Sequence, residues 1–167
     1  MRRFLTRFRV ALGFALAAFV LWLARPAWNT WAAGAAIAAC GELLRLWAAG
    51  HLQKSLEVTA SGPYRYVRHP LYMGSSLIGI GLAIASTNLV VAAIIGIYLG
   101  LTLSAARRSE EAHLREKFGD AYDAYVEKRM APMTRTFSVE RALRNREHHT
   151  IAGLVAGFAL LAAKILF

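Results

Sequence analysis

The sequence predicts an all-α integral membrane bundle of about five transmembrane helices, and three observations carry that reading. Of the 167 residues, 57% are apolar, and the mean hydropathy is positive at +0.40, outside the range of an ordinary soluble globule. The apolar residues are gathered into runs that approach or exceed the ~20 residues a helix needs to cross a bilayer core. The basic residues are unevenly placed: four lie in residues 1–9, three in residues 51–70 and ten in residues 107–150, so 17 of the 20. In a five-span layout those stretches share one side. The positive-inside rule makes it the cytoplasmic side, with the amino terminus inside and the carboxyl terminus outside.

Each element follows in turn. The first span, residues 10–24, is short but bracketed by Arg9 and Arg25, whose long stems can reach the interface. It lacks a small-residue cleavage site and is expected to be retained. The second, residues 28–49, carries Glu42 and Arg45 three positions apart; charges inside a membrane helix pair or face a cavity, and pairing with each other is expected. The apolar stretch from Leu71 to Ala106 is too long for one crossing and contains "STN" at 86–88. It predicts a tight hairpin of two spans, 71–86 and 88–106. The last span, 151–167, carries Lys164 near its far end. Residues 51–70 and 107–133 are then separated by two crossings, so they face the same side and their polar groups can meet.

Within the second of these segments, "RRSEEAHLREKFGDAYDAYVEKR" (107–129) has helical composition. Glu111 and Arg115 stand at the favourable i, i+4 spacing, and Gly119 offers a C-terminal stop. Residues 134–149 are basic and in places amphipathic, which predicts a position on the membrane surface. The chain reads as one domain, 1–167.

Several classes are excluded. The single cysteine, Cys40, rules out a disulfide framework within the chain. The formal net charge of +10 is accounted for by the flanks of the spans, not by nucleic-acid binding. "GIGLAI" at 79–84 loosely matches a dinucleotide glycine pattern, but no strand precedes it, and small-residue helix packing is the better reading. His148 and His149 have no third ligand at helical spacing, so no metal site is expected. Neither a nucleophile elbow nor a hydrolase-type Cys/His pairing is present.

What remains is "GPYRYVRHPLYMG", residues 62–74, at the entrance to the hairpin. Gly62-Pro63 marks a turn, and Pro70 suits the first position of a helix. Arg68 and His69 therefore stand at a helix N-terminus, where the dipole and cationic side chains together make an anion site. The plain alternative is interfacial anchoring by Arg65 and Arg68 with an aromatic belt of Tyr64, Tyr66 and Tyr72. At the other end of the hairpin, Glu110 and Glu111 lie beside the same leaflet; their plain alternative is solvated helix charge paired with Arg107, Arg108 and Arg115.

Taken together, "GPYRYVRHPLYMG" and "EEAHLREKFGDAYDAY" resemble the signature of the isoprenylcysteine carboxyl methyltransferases and the related phospholipid methyltransferases. In that signature an Arg-His-Pro-x-Tyr element precedes a helical hairpin, and a Glu-Glu pair follows it, leading into Leu, Phe-Gly and two tyrosines. The matching positions are Arg68, His69, Pro70 and Tyr72, then Glu110, Glu111, Leu114, Phe118, Gly119, Tyr122 and Tyr125. The chain departs from the pattern at Ala60, where the family often has threonine, and after Tyr125, where Lys128, Arg129 and the late Pro132 replace a regular Arg-Val-Pro run.

The resemblance implies S-adenosyl-L-methionine as cofactor, held by membrane helices and cytoplasmic loops. It places Arg68 or His69 at the methionine carboxylate, Glu111 and then Glu110 at the ribose hydroxyls, and Tyr64 and Tyr72 at the adenine. It implies a lipophilic or lipidated acceptor, either a prenylated-cysteine-like carboxylate or a phospholipid amine. It assigns Arg129, or Lys128 beside it, to grip an acceptor carboxylate, with Arg68 the other arginine at the reacting groups. Methyl transfer from a sulfonium is an in-line displacement that asks for alignment and exclusion of water, and with an anionic acceptor it needs no general base. Two other classes stand beside this one. A sterol-reductase-type membrane reductase shares a related proline-tyrosine element, but the Glu-Glu pair would repel the phosphate of NADPH. The other is a non-catalytic membrane protein that keeps the scaffold.

Overall fold

The computed structural model describes residues 15, 17–131 and 133–167. Much of the expected first span lies outside the described residues; its described part is helical from 17 to 23. We label the later helices α1 (Trp28–His51), α2 (Pro70–Ser86), α3 (Leu89–Phe118), α4 (Asp120–Val126), α5 (Val139–Arg144) and α6 (Glu147–Leu166), with a 3-10 turn at Gly62–Arg65. Helices α1, α3 and α6 are long and apolar enough to cross a membrane, and α2 is a shorter apolar helix. The predicted all-helical architecture is thus present, with the expected third span, 71–86, corresponding to the shorter helix α2. Helix α3 is longer than its span, at 30 residues. Beyond its apolar part, 89–106, a polar continuation runs ~18 Å further at the helical rise of ~1.5 Å per residue.

Local chemistry sets the ends of these helices. Pro70 opens α2 with His69 as its N-cap residue, and Thr87 closes it in the left-handed region at φ 47°. The Asn88 side chain then accepts from the N–H groups of Val90 (2.9 Å) and Val91 (3.3 Å), capping α3. Its amide also donates to the carbonyl of Leu23 at 2.9 Å, so the tight turn grips the end of the preceding helical segment. At the far end of α3, Gly119 adopts φ 47° and ends the helix after Phe118, as the sequence predicts.

Helices α1 and α2 pack backbone to backbone. A Cβ added at Gly41 would come within 2.6 Å of the Gly74 carbonyl, and one at Gly81 within 2.8 Å of the Ala38 Cβ. The glycines of "GIGLAI" therefore serve packing, with Gly81 against α1 and Gly79 against Leu99 of α3. Helix α6 joins through Phe158 and Leu161, which cluster with Ala24, Ala38 and Ala85. The indole N–H of Trp31 donates to the Phe158 carbonyl at 2.9 Å.

Arg45 makes the expected ion pair with Glu42 at 3.8 Å and a closer one with Glu147. Its guanidinium holds Glu147 of α6 in a two-pronged contact, with Nε at 2.7 Å and Nη2 at 3.2 Å, whereas Glu42 stays 3.8 Å away. The planar fork matches a carboxylate that meets it head-on, a geometry a neighbour three residues along the same helix does not offer. Ser75 (2.5 Å), Thr150 (3.1 Å) and the Leu71 carbonyl (3.5 Å) take the remaining donors. The buried carboxylate oxygens of Glu42 have no hydrogen-bond partner.

The stretch expected on the membrane surface is docked on the end of α1. Arg141 donates to the Gly50 carbonyl (2.8 Å), Arg135 to that of His51 (3.3 Å) and Asn145 to those of Ala49 (2.9 Å) and Leu52 (3.0 Å). These side chains satisfy carbonyls that a helix end leaves open.

Candidate active site at the mouth of the hairpin

The first turn of α2 meets the polar continuation of α3 through two side-chain pairs. His69 Nε2 lies 2.8 Å from Glu111 Oε1, 42 residues away in sequence, and the Tyr72 hydroxyl donates to Glu110 Oε2 at 2.7 Å. His69 and Tyr72, three apart at the helix start, stack with ring centroids 5.5 Å apart and planes 21° from parallel. Adjacent carboxylates on α3 diverge by about 100° around the helix, so each reaches a different one of the two rings. Five residues beyond the apolar part of α3, the Glu111 carboxyl is held below its ordinary value of 4.5, first by its hydrogen bond with His69. Burial opposes that shift, while the positive charges of Arg107 and Arg68 reinforce it.

The predicted Glu111–Arg115 pair is not formed. Gly119 folds α4 back along α3, and Arg115 meets Asp123 at 3.3 Å and the ring of Tyr122 at 5.8 Å. Helix α4 thereby brings two tyrosines to the site. The Tyr125 hydroxyl donates to the Tyr64 carbonyl at 2.9 Å. Tyr122 is buried, and its hydroxyl has no hydrogen-bond partner. Burial pushes the Tyr125 phenol up to about 12 and raises those of Tyr122 and Tyr64, so all three stay protonated donors at neutral pH.

Two cavities share the wall formed by Tyr64, Arg68, His69, Tyr72 and Tyr125. The larger, about 710 Å³, adds Tyr122, the carboxylates of Glu57, Glu110 and Glu147, and the cations Arg45 and Lys54. The smaller, about 480 Å³, adds Arg65, Arg107 and Lys128. Of the residues singled out from sequence, Tyr64, Arg68, His69 and Tyr72 line both cavities and Glu110 lines the larger, while Glu111 supports His69. Arg129 is not brought to the site: it is exposed, lies 2.6 Å from Glu127 and lines neither cavity, whereas its neighbour Lys128 lines the smaller one. Arg45, a charge inside a span that sequence places in a pair or at a cavity wall, lines the larger cavity. Sequence reasoning did not assign Glu57 or Glu147 to the site, because their partners are distant in the chain and no local spacing signals them. Tyr122 and Tyr125 did carry a signal, since they are three apart in a helical segment that follows the paired carboxylates.

The larger cavity suits a zwitterionic nucleoside. Arg68 and His69 answer a carboxylate, Glu110 answers an ammonium or hydroxyl groups, and the tyrosines supply aromatic walls. The unpartnered Tyr122 hydroxyl at its wall is a buried donor awaiting an acceptor. Among the described residues, no group of three or more His, Cys, Asp or Glu side chains is placed to hold a metal ion.

Fold and site together define a multi-pass integral membrane protein with a polar chamber at the open end of a helical hairpin. The chain matches the phospholipid methyltransferase family over residues 8–121, and it belongs to that family. It is 34% identical over 84 residues to the nickel-cobalt-cadmium resistance protein NccN of Alcaligenes xylosoxydans xylosoxydans, covering 49% of this chain and 39% of that one. It is 31% identical over 130 residues to the cobalt-zinc-cadmium resistance protein CzcN of Cupriavidus metallidurans, covering 69% of this chain and 59% of that one. It is 34% identical over 71 residues to a protein-S-isoprenylcysteine O-methyltransferase of Schizosaccharomyces pombe, covering 42% and 30% respectively. The matches thus span less than two thirds of each of these relatives. No solved structure matches the chain.

Proposed function

We propose that the protein is a single-domain integral-membrane methyltransferase that transfers a methyl group from S-adenosyl-L-methionine to a lipophilic acceptor, with its site facing the cytoplasm. The observation that carries this reading is the pairing of His69 with Glu111 and of Tyr72 with Glu110, which joins the two halves of the family signature beside one chamber. Bound there, the cofactor would supply an activated methyl group on a sulfonium. Arg68 and His69 would hold its carboxylate, Glu110 its hydroxyls, and Tyr64, Tyr72 and Tyr125 would pack the base and exclude water. Glu111 orients His69. Arg68, on the wall shared with the second cavity, is the arginine we place at the reacting groups. Arg129 takes an acceptor role only by leaving Glu127. The cytoplasmic orientation is supported by the 17 of 20 basic residues that a five-span layout puts on one side.

Calorimetric titration of the purified full chain tests the reading. S-adenosylhomocysteine is expected to bind and NADPH is not. Binding of NADPH alone would favour the reductase class, and binding of neither would favour a non-catalytic scaffold.

A further inference from the structure

We propose that Glu42 stands as an un-ionised carboxylic acid behind the Arg45–Glu147 pair, and that its neutrality keeps Arg45 on the first turn of α2, beside His69 and Tyr72. Glu42 is thereby a positioning residue for the chamber. Only the cofactor-binding arm of this inference rests on the methyltransferase reading above.

A guanidinium offers five N–H donors, and Arg45 spends all of them. Its Nε donates to Glu147 Oε1, its Nη1 to the Ser75 hydroxyl and the Leu71 carbonyl, and its Nη2 to Glu147 Oε2 and the Thr150 hydroxyl. Glu42, three residues back on α1, has Oε2 3.8 Å from the same Nε, and both of its oxygens are buried without a hydrogen-bond partner. The charged groups beside it are Arg45 on its own helix and Glu147 of α6; Ser75, which α2 brings to the knot, is neutral.

One cation cannot balance two carboxylates. Glu147 holds the guanidinium from both sides and stands in the first turn of α6, where the free N–H groups of a helix start favour an anion. Glu42 lies inside α1, whose own hydrogen bonds leave it no such donor. A buried carboxylate with no donor is relieved of its charge by a proton. A hard metal cation would need several oxygen ligands at once, and among the described residues no three His, Cys, Asp or Glu side chains are gathered to hold one.

Arg45 carries the effect to the site. Leu71 lies next to Tyr72 in the first turn of α2, and Ser75 braces the Leu71 carbonyl at 2.9 Å. That turn holds the stacked rings of His69 and Tyr72 and their contacts with Glu111 and Glu110. Arg45, Leu71, Ser75 and Glu147 all line the larger cavity. Proton loss from Glu42 puts a second anion beside Arg45, which competes with Glu147 for Nε and repels it. The guanidinium then leaves Ser75 and Leu71, and the turn loses its tether.

The test uses the purified full chain in detergent. At neutral pH the infrared spectrum of the wild type is expected to contain the carbonyl stretch of an un-ionised carboxyl, and Glu42→Gln should lose it. An amide copies a neutral acid in size and charge, so Glu42→Gln should keep the wild-type melting temperature. As pH is raised until that band disappears, the wild type should lose about tenfold in affinity for S-adenosylhomocysteine, while the affinity of Glu42→Gln follows a flatter course. A wild type without the band, a variant that retains it, or a variant that fails to fold each overturns the neutral acid. Stabilisation of the wild type by sodium at fixed ionic strength would assign the missing charge to a cation and overturn it too. Parallel pH courses of affinity in the two proteins overturn the positioning role. If the wild type binds no S-adenosylhomocysteine, the methyltransferase reading fails, and the band and the melting temperature still decide the charge of Glu42.

Discussion

Helix α2 has two seams, and they differ although both are rich in glycine. On the α1 side, Gly41 and Gly74 meet each other's backbones, and Gly34 and Gly81 do the same one step further along. That seam ends in the polar knot of Arg45, Ser75, Glu147 and Thr150. On the α3 side the helices are joined by a turn of two residues, yet Gly96 and Gly100 face open space. Gly79 packs against Leu99 within that seam, which is otherwise held at its ends, by Asn88 at the turn and by the His69–Glu111 and Tyr72–Glu110 pairs at the mouth. A short connection does not by itself produce close packing. Close packing needs small residues in register on both helices, because only then do the backbones approach within van der Waals contact. Where the register is absent, polar contacts at the ends keep the helices together and leave a groove and a chamber between them.

The sharpest way to break the sealed seam is at its knot. Arg45→Ala would leave Glu147, whose side chain is 4% exposed, buried without its cation; removing one partner of such a pair costs about 3–5 kcal/mol. Thermal unfolding in detergent measures this, and the paired change Arg45→Met with Glu147→Met should recover most of the loss. An unchanged melting temperature for Arg45→Ala would mean that the seam does not depend on the knot.

Next in size is the seam itself. Gly81→Leu forces a side chain against the Gly34 backbone and should destabilise at the upper end of the ~1–3 kcal/mol usual for overpacking. Gly157→Leu on α6, where a Cβ meets nothing within 4 Å, should stay within ~0.5 kcal/mol. Equal melting temperatures for the two variants would erase the contrast between filled and open glycines.

At the mouth of the open seam, His69→Ala and Glu111→Ala should each weaken S-adenosylhomocysteine binding roughly ten- to a hundredfold, the cost of one charge-assisted contact. The double variant should lose less than the product of the two effects, because the residues share one bond. Fully multiplicative losses would show that the two act independently and that Glu111 does not work through His69.

The smallest effect is one of pH. Burial raises the folded-state value of Tyr125 from 10.0 to about 12. A group raised on folding contributes stability that is complete below its unfolded value and is lost as pH rises through the folded one. The melting temperature should therefore decline between pH ~10 and ~12, and the decline should be shallower in Tyr125→Phe. The same slope in both would remove Tyr125 from the contacts that hold α4 on the site.

The arrangement of the hairpin was legible because its determinants are local. The length of an apolar run, the proline at position 70, the "STN" turn and Gly119 each act within a few residues. Two crossings return Glu110 and Glu111 to the level of His69 and Tyr72 whatever else the chain does. Hence the meeting of the two motif halves followed from sequence alone, as did the packing role of Gly79 and Gly81. Which charge pairs most closely with which did not follow. Arg45 keeps Glu42, three residues away, at 3.8 Å but makes its two-pronged contact with Glu147, 102 residues distant; Arg115 had Glu111 one turn away and chose Asp123 across the bend at Gly119. Carboxylates are alike in sequence, and between two of them the choice rests on an ångström of separation and the angle of approach to a planar guanidinium, both set by how the helices pack. Whether Arg129 or Lys128 reaches the cleft, and the division of one polar region into a mixed and a purely basic cavity, were decided in the same way. Sequence by itself determined which segments lie at one level of the membrane; the tertiary structure decided the partners within that level, because short-range electrostatics and hydrogen-bond geometry vary over distances that residue order does not encode.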